Sequence, residues 1–94
     1  MSSEVMFTYH AARRMPQRAI ARDAVDLLLN FGRASRVRGA TTFFFDKYAR
    51  EQIAELFEVG AQRRVEKFMN VYAVIGDDGL VITAARRMRR LHRD

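Results

Sequence analysis

The stretch FMNVYAVIGDDGLVITAA, residues 68–85, decides the fold. Val71, Tyr72, Val74 and Ile75 are β-branched or aromatic, side chains that fit a pleated, half-buried surface. Val81, Ile82 and Thr83 repeat that chemistry after Gly76-Asp77-Asp78-Gly79, whose residues tolerate positive φ. The pattern predicts strands over residues 68–75 and 80–85, joined as a β-hairpin.

Upstream, residues 41–46 are again β-branched and aromatic, and residues 34–38 alternate basic side chains around Val37. With Gly39-Ala40 as the turn, they predict a second hairpin. Alternation along Phe43-Phe44-Phe45 sends Phe43 and Phe45 to one face and Phe44 to the other. One face is core; the other is available to a partner subunit or a base. Residues 48–58 read as a helix, with Ile53, Leu56 and Phe57 as its apolar stripe and Glu51, Glu55 and Glu58 opposite. Val59-Gly60 reads as its end. Residues 61–67, with Arg63 and Arg64 next to Val65, fit no template.

The N-terminal third is helical. Residues 8–18 form a predicted helix with Thr8 as N-cap and Ala11, Ala12 and Met15 facing a core. Pro16 removes a backbone donor and crowds the Ala12 carbonyl, so this helix is expected to kink or end early. Residues 22–30 form a second helix, with Val25, Leu28 and Leu29 as its stripe and Gly32 as a stop signal. The link of residues 19–21 permits only a helical hairpin or a sharp bend. The expected fold is α+β: an N-terminal helical hairpin packed on a mostly antiparallel sheet of about four strands.

Ninety-four residues make one domain, with residues 86–94 as a basic tail. Cysteine is absent, which removes disulfides, thiolate nucleophiles, thiolate zinc sites and iron–sulfur clusters together. Two histidines offer little for an imidazole metal site, and neither metal nor cofactor is expected. No apolar run approaches the ~20 residues that span a bilayer. MSSEVMFTYH lacks the basic-then-apolar order of a secretory signal, so a cytoplasmic protein is expected.

Seventeen basic residues face eleven acidic ones, giving a net charge of +6, and fifteen of the seventeen are arginine. Arginine presents a planar fork of donors that grips phosphate and stacks on bases. Such a surplus on a small domain points to a polyanionic partner, most simply nucleic acid. A GC-rich coding sequence would produce the same bias without function.

Three constellations could use that charge. His10, Arg14 and Arg18 follow one another at spacings of four, so they share a helix face, with Arg13 and Gln17 beside them. An imidazole moves a proton near neutral pH, and guanidinium groups hold phosphate and stabilise charge on its oxygens. With the neighbouring 2′-hydroxyl of RNA as the attacking group, that chemistry needs no metal. The plainer reading is a structural histidine beside a solvated basic face. The second constellation is the tail, where Arg86, Arg87, Arg89 and Arg90 would neutralise phosphates. Arg36 and Arg38 on the predicted strand extend the same reading. The third is the phenylalanine run with Tyr48. The carboxylates converge on no motif, and no phosphate-cradling glycine loop is present.

The segment His10-Ala11-x-x-Arg14-Met15-x-x-Arg18-x-Ile20 resembles a family of small bacterial proteins known as domain of unknown function four-two-five-eight. Leu80-Val81-Ile82-Thr83 is similar to that family's closing strand. The resemblance covers the N-terminal helices and the last hairpin, and leaves residues 33–67 unplaced. It implies a compact α+β domain similar to the toxin ribonucleases grouped with barnase, colicin nucleases and RelE. Those enzymes cleave RNA without metal. On the matched positions it implies His10, Arg14 and Arg18 as catalytic residues, with Thr83 as a weaker candidate. Three positions depart from the pattern: Pro16 lies inside the motif helix, Ala19 stands where glycine is usual, and Ala21 where serine or threonine is usual.

The expected function is toxin-like nucleic-acid binding, directed at RNA in preference to DNA, with metal-independent endoribonuclease activity as its sharpest form. An antitoxin-like protein would then cover the basic face. The alternatives are a non-catalytic, oligomeric nucleic-acid-binding protein and a protein-interaction module.

Overall fold

A computed structural model describes residues 5–87. The chain runs β1 (Met6–Phe7), α1 (Tyr9–Gln17), α2 (Arg22–Phe31), β2 (Arg33–Val37), β3 (Ala40–Phe44), α3 (Lys47–Leu56), α4 (Val59–Glu66), β4 (Val71–Gly76) and β5 (Leu80–Arg86). The α+β class is as expected. The described sheet has five strands rather than four, in the order β1-β5-β4-β3-β2. The extra strand is two residues long and runs parallel to β5, with Met6 opposite Leu80 and Phe7 opposite Val81. Two residues carry too little alternation to be legible as a strand. The remaining pairs are antiparallel.

Thr8 starts α1 as expected: its hydroxyl accepts from the Ala11 N–H at 3.1 Å, satisfying one of the helix's free donors. Its own N–H donates to the Val81 carbonyl at 2.9 Å, which ties the helix start to β5. The helix ends one residue past Pro16. The Ile20 N–H reaches the Met15 carbonyl at 2.9 Å and the Ala19 N–H reaches Pro16 at 3.1 Å, closing a Schellman cap. Met15 and Ile20 are both buried, giving that cap its hydrophobic contact. Ala19 takes φ 56 at the position that glycine fills most easily.

The expected helical hairpin is corrected. After the cap, α1 lies chiefly on β5 while α2 lies on β4 and β3, so each helix engages the sheet rather than chiefly its neighbour. The Arg22 guanidinium lies 4.4 Å from the Phe7 ring centroid, bracing the start of α2 against β1. Gly32 ends α2 without a left-handed turn, at φ −72. A side chain there would meet the Leu28 carbonyl oxygen at 2.6 Å and that of Phe44 at 3.1 Å, so glycine is present for space.

Other boundaries move for local reasons. Arg38, expected on a strand, takes φ 52 beside Gly39 at φ 81, a two-residue turn whose twist matches its flanking strands. Asp46, expected at the end of a strand, instead caps α3, accepting from the Ala49 N–H at 2.8 Å. Val59-Gly60 opens α4 rather than closing α3, which stops at Leu56. Residues 68–70 are turn, and their strand begins at Val71. The β4–β5 turn closes as expected, with the Gly79 N–H on the Gly76 carbonyl at 2.9 Å and Gly79 at φ 87.

One core joins helices and sheet. Ala11 and Met15 of α1, Ala24, Val25 and Leu28 of α2, and Ala49 and Ile53 of α3 meet Val71, Ala73, Val81 and Ala84 from the strands, with Phe45. Phe45 is 1% exposed, and truncating a phenylalanine so placed costs about 3–5 kcal/mol. Phe43, opposite Ala73, faces this core. Phe44, opposite Tyr72, belongs to the other face and does not join the core cluster. Neither do Thr42, Val74 and Thr83, which that same face carries in one cross-strand row. Between Val74 and Ile75 the register shifts, leaving Ile82 as an extra, exposed residue of β5.

Candidate nucleic-acid interface

The exposed side of α1 gathers the first constellation in part. Tyr9, His10, Arg13, Arg14 and Gln17 line an open depression of about 300 Å³. His10 and Arg13 are exposed and Arg14 is half-buried. The Arg13 guanidinium lies 5.6 Å from the Tyr9 ring centroid one turn before it. His10 makes no hydrogen bond with any described residue, so both ring nitrogens face solvent or a ligand. No acidic residue lies on α1. Among the described residues the ion pairs are Arg33–Asp46 at 3.5 Å and Arg36–Asp77 at 2.7 Å, so Arg13, Arg14 and Arg22 keep their charge without a carboxylate.

Arg18 is not in that depression. It donates to the Ala84 carbonyl at 3.2 Å, on the stretch of β5 beyond its short pairing with β1. The i, i+4, i+8 spacing shares a face but not a point: about 12 Å of helix axis separates His10 from Arg18. Arg14, midway between them, stays beside His10. Arg86 is also drawn into structure, donating to the Arg18 carbonyl at 2.9 Å and so satisfying a free acceptor at the end of α1. Thr83, opposite Val74, belongs to the sheet face turned away from α1, so it and His10 are not brought together.

The strand candidates are placed separately. Arg36 holds Asp77 through both nitrogens of its fork, at 2.7 and 3.3 Å, and that hydrogen bond and charge raise its pKa above the ordinary arginine value. Arg38 is exposed at the tip of the β2–β3 turn. Arg87 turns to the sheet face away from the helices, 5.6 Å from the Phe44 ring centroid, while its backbone N–H donates to the Asn70 carbonyl at 2.8 Å. Arg89 and Arg90 lie outside the described residues. Tyr48 is exposed on α3, its hydroxyl accepting from Gln52 at 3.2 Å.

Sequence reasoning missed Arg50, which donates to the Met69 carbonyl at 3.2 Å and lies near Arg87. It also missed Tyr72 as the cross-strand partner of Phe44. The second was within reach, because counting back from the Gly76–Gly79 turn puts Tyr72 and Val74 on one face. The first was not, because a helix following a strand reveals nothing of which loop it will lean on.

Among the described residues no three histidine, aspartate or glutamate side chains gather as a metal site. None of the described helices is long and apolar enough to cross a membrane. Compared with family models, curated proteins and solved structures, the chain matches none.

Proposed function

We propose that this protein binds RNA along the exposed side of α1, and that His10 with Arg14 forms a metal-independent cleavage centre there. One observation carries the reading: a histidine with no hydrogen-bond partner among the described residues shares an open depression with two arginines that have no carboxylate partner among them. Phosphodiester is the ligand that such a surface suits.

In the cleavage step the His10 imidazole takes the proton of a 2′-hydroxyl. The freed oxygen attacks the adjacent phosphorus as the P–O5′ bond breaks, and the 5′-oxygen takes a proton from solvent. The products are a 2′,3′-cyclic phosphate and a 5′-hydroxyl. Arg14 stabilises the charge on the non-bridging oxygens, and Arg13 holds a neighbouring phosphate. RNA is preferred to DNA because only RNA supplies the attacking group. A toxin-like role in the cytoplasm, with an antitoxin-like protein covering the arginines, belongs to the same proposal, as does self-association.

The second reading is binding without cleavage. It is favoured by Arg18, whose engagement with Ala84 leaves His10 one arginine fewer than the motif spacing offers. Wild-type protein and His10→Ala, incubated with labelled single-stranded RNA in EDTA across a salt series, separate the two. Cleavage by the wild type alone supports the ribonuclease. An equal, salt-sensitive gel shift without cleavage leaves the binding protein. No shift and no cleavage at low salt overturns both.

A further inference from the structure

Arginine also goes without a carboxylate, among the described residues, on the other side of the molecule. The sheet face turned away from the helices carries Phe44 and Tyr72 as direct cross-strand partners. Both are half-exposed. Arg87 lies over Phe44, but no aromatic or cationic group among the described residues covers the Tyr72 ring, and its hydroxyl makes no hydrogen bond with them.

Arg87 reaches this pair from the end of β5, and Arg50, on α3, engages the same turn that leads into β4. Arg50 donates to the Met69 carbonyl, and the Arg87 backbone donates to Asn70, the next residue. Neither guanidinium has a carboxylate within ion-pair distance among the described residues. Burial first, and then the charge of Arg50, push Arg87 below the ordinary arginine value. A part-buried cation over an aromatic ring, with a second cation close enough to repel it, is a charge that an anion relieves.

We propose that Arg50, Arg87 and Tyr72 form a nucleotide subsite, in which the arginines take a phosphate of single-stranded nucleic acid and Tyr72 stacks its base. The inference rests on the RNA-binding reading and adds a second contact on the opposite face of the domain. The charge and the ring together select the ligand. An inorganic anion or acidic peptide would use the arginines and leave Tyr72 idle. A duplex would keep its bases stacked on one another and present none to the ring. An unpaired nucleotide offers both groups from one residue, and a strand continuing past it would follow the row formed by Thr42, Val74 and Thr83.

The test uses a labelled single-stranded RNA oligomer that lacks a cleavable 2′-hydroxyl. Its affinity is measured by anisotropy for the wild type, Tyr72→Leu, Arg50→Gln, Arg87→Gln and the α1 variant Arg13→Gln. Stacking on an aromatic residue predicts a loss of about 5- to 100-fold for Tyr72→Leu. In a Tyr9→Phe, Tyr48→Phe background Tyr72 is the sole tyrosine, so quenching of its emission by RNA reports stacking without touching the subsite. Loss of affinity in Tyr72→Leu and Arg50→Gln, with quenching in that background, supports the subsite. Unchanged affinity in those variants and no quenching, while Arg13→Gln binds more weakly, overturns it and leaves the α1 reading standing. No binding by the wild type overturns both. A wild-type dimer in sedimentation that Tyr72→Leu dissociates, again without quenching, assigns the face to a second copy and overturns the subsite.

Discussion

Arg18 and Arg86, 68 positions apart, are joined through main-chain oxygens: Arg86 donates to the Arg18 carbonyl at 2.9 Å, and Arg18 donates to Ala84 at 3.2 Å. The two bonds run in opposite directions across one seam, between the end of α1 and the free stretch of β5. Each is charge-assisted and partly buried. Arg86→Met is expected to cost about 1–2 kcal/mol. In a double-mutant cycle with Arg18→Met, urea denaturation should give a coupling of about 0.5–1 kcal/mol. Additive losses would mean that the two bonds act separately.

Ala19 closes α1 at φ 56, where its Cβ is crowded. Ala19→Gly relieves that crowding, and the added freedom of the unfolded chain offsets part of the gain. The expected result is a stabilisation of about 0.5–1 kcal/mol, a rise in Tm of about 2–8 °C for a domain of this size. Calorimetry of the two proteins checks it.

Arg38 sits at φ 52 in a two-residue turn that asparagine followed by glycine fills best. Arg38→Asn should stabilise the β2–β3 hairpin by about 0.5 kcal/mol. If the Arg38 side chain also touches RNA, the same variant binds more weakly while melting higher. Parallel melting and binding curves read both effects, and a variant that melts lower contradicts the turn assignment.

Gly32→Ala is expected to behave in the opposite way. The added methyl would stand 2.6 Å from a backbone oxygen that no rotamer change can move. The end of α2 must shift against β3, at a cost of about 1–3 kcal/mol, the range of overpacking. An alanine variant as stable as the wild type in urea would show that the contact is looser than described.

On α1, each arginine that meets a phosphate contributes to the salt dependence of binding. Replacing Arg13 by glutamine should lower the slope of log K against log salt by about 0.7 for a single strand. Replacing Arg36, already held by Asp77, should leave the slope nearly unchanged. Titrations at four or five salt concentrations distinguish the two.

The elements that could be read ahead of the structure are those whose signal is local. The Gly76–Gly79 turn, the alternation that turns Phe43 and Phe45 inward and the Thr8 cap each depend on residues within one turn or one strand. What escaped is set by the remainder of the fold. Met6 and Phe7 become a strand only because β5 offers them an edge. Val59-Gly60 carries glycine as a stop signal would, yet it starts a helix, because α3 already ends when Phe57 turns extended. The α1 cluster was half legible. Spacing put His10, Arg13, Arg14 and Gln17 on one side of a helix, but it could not show that Arg18 would find a carbonyl on a strand 66 positions later.

The last of the described strands to be made is the one that the first elements need. Met6, Thr8 and Arg18 all bind to β5, through Leu80, Val81 and Ala84. On a ribosome, the β2–β3 hairpin can close within its own few residues as soon as it emerges, whereas α1 waits for more than sixty further residues. During that interval Met15 and Ile20 have no sheet to cover, and the α1 arginines stand apart from the β5 seam that later fixes Arg18. A docked α1 therefore exists only once β5 is in place, so the first helix of the fold is among the last parts of it to be secured.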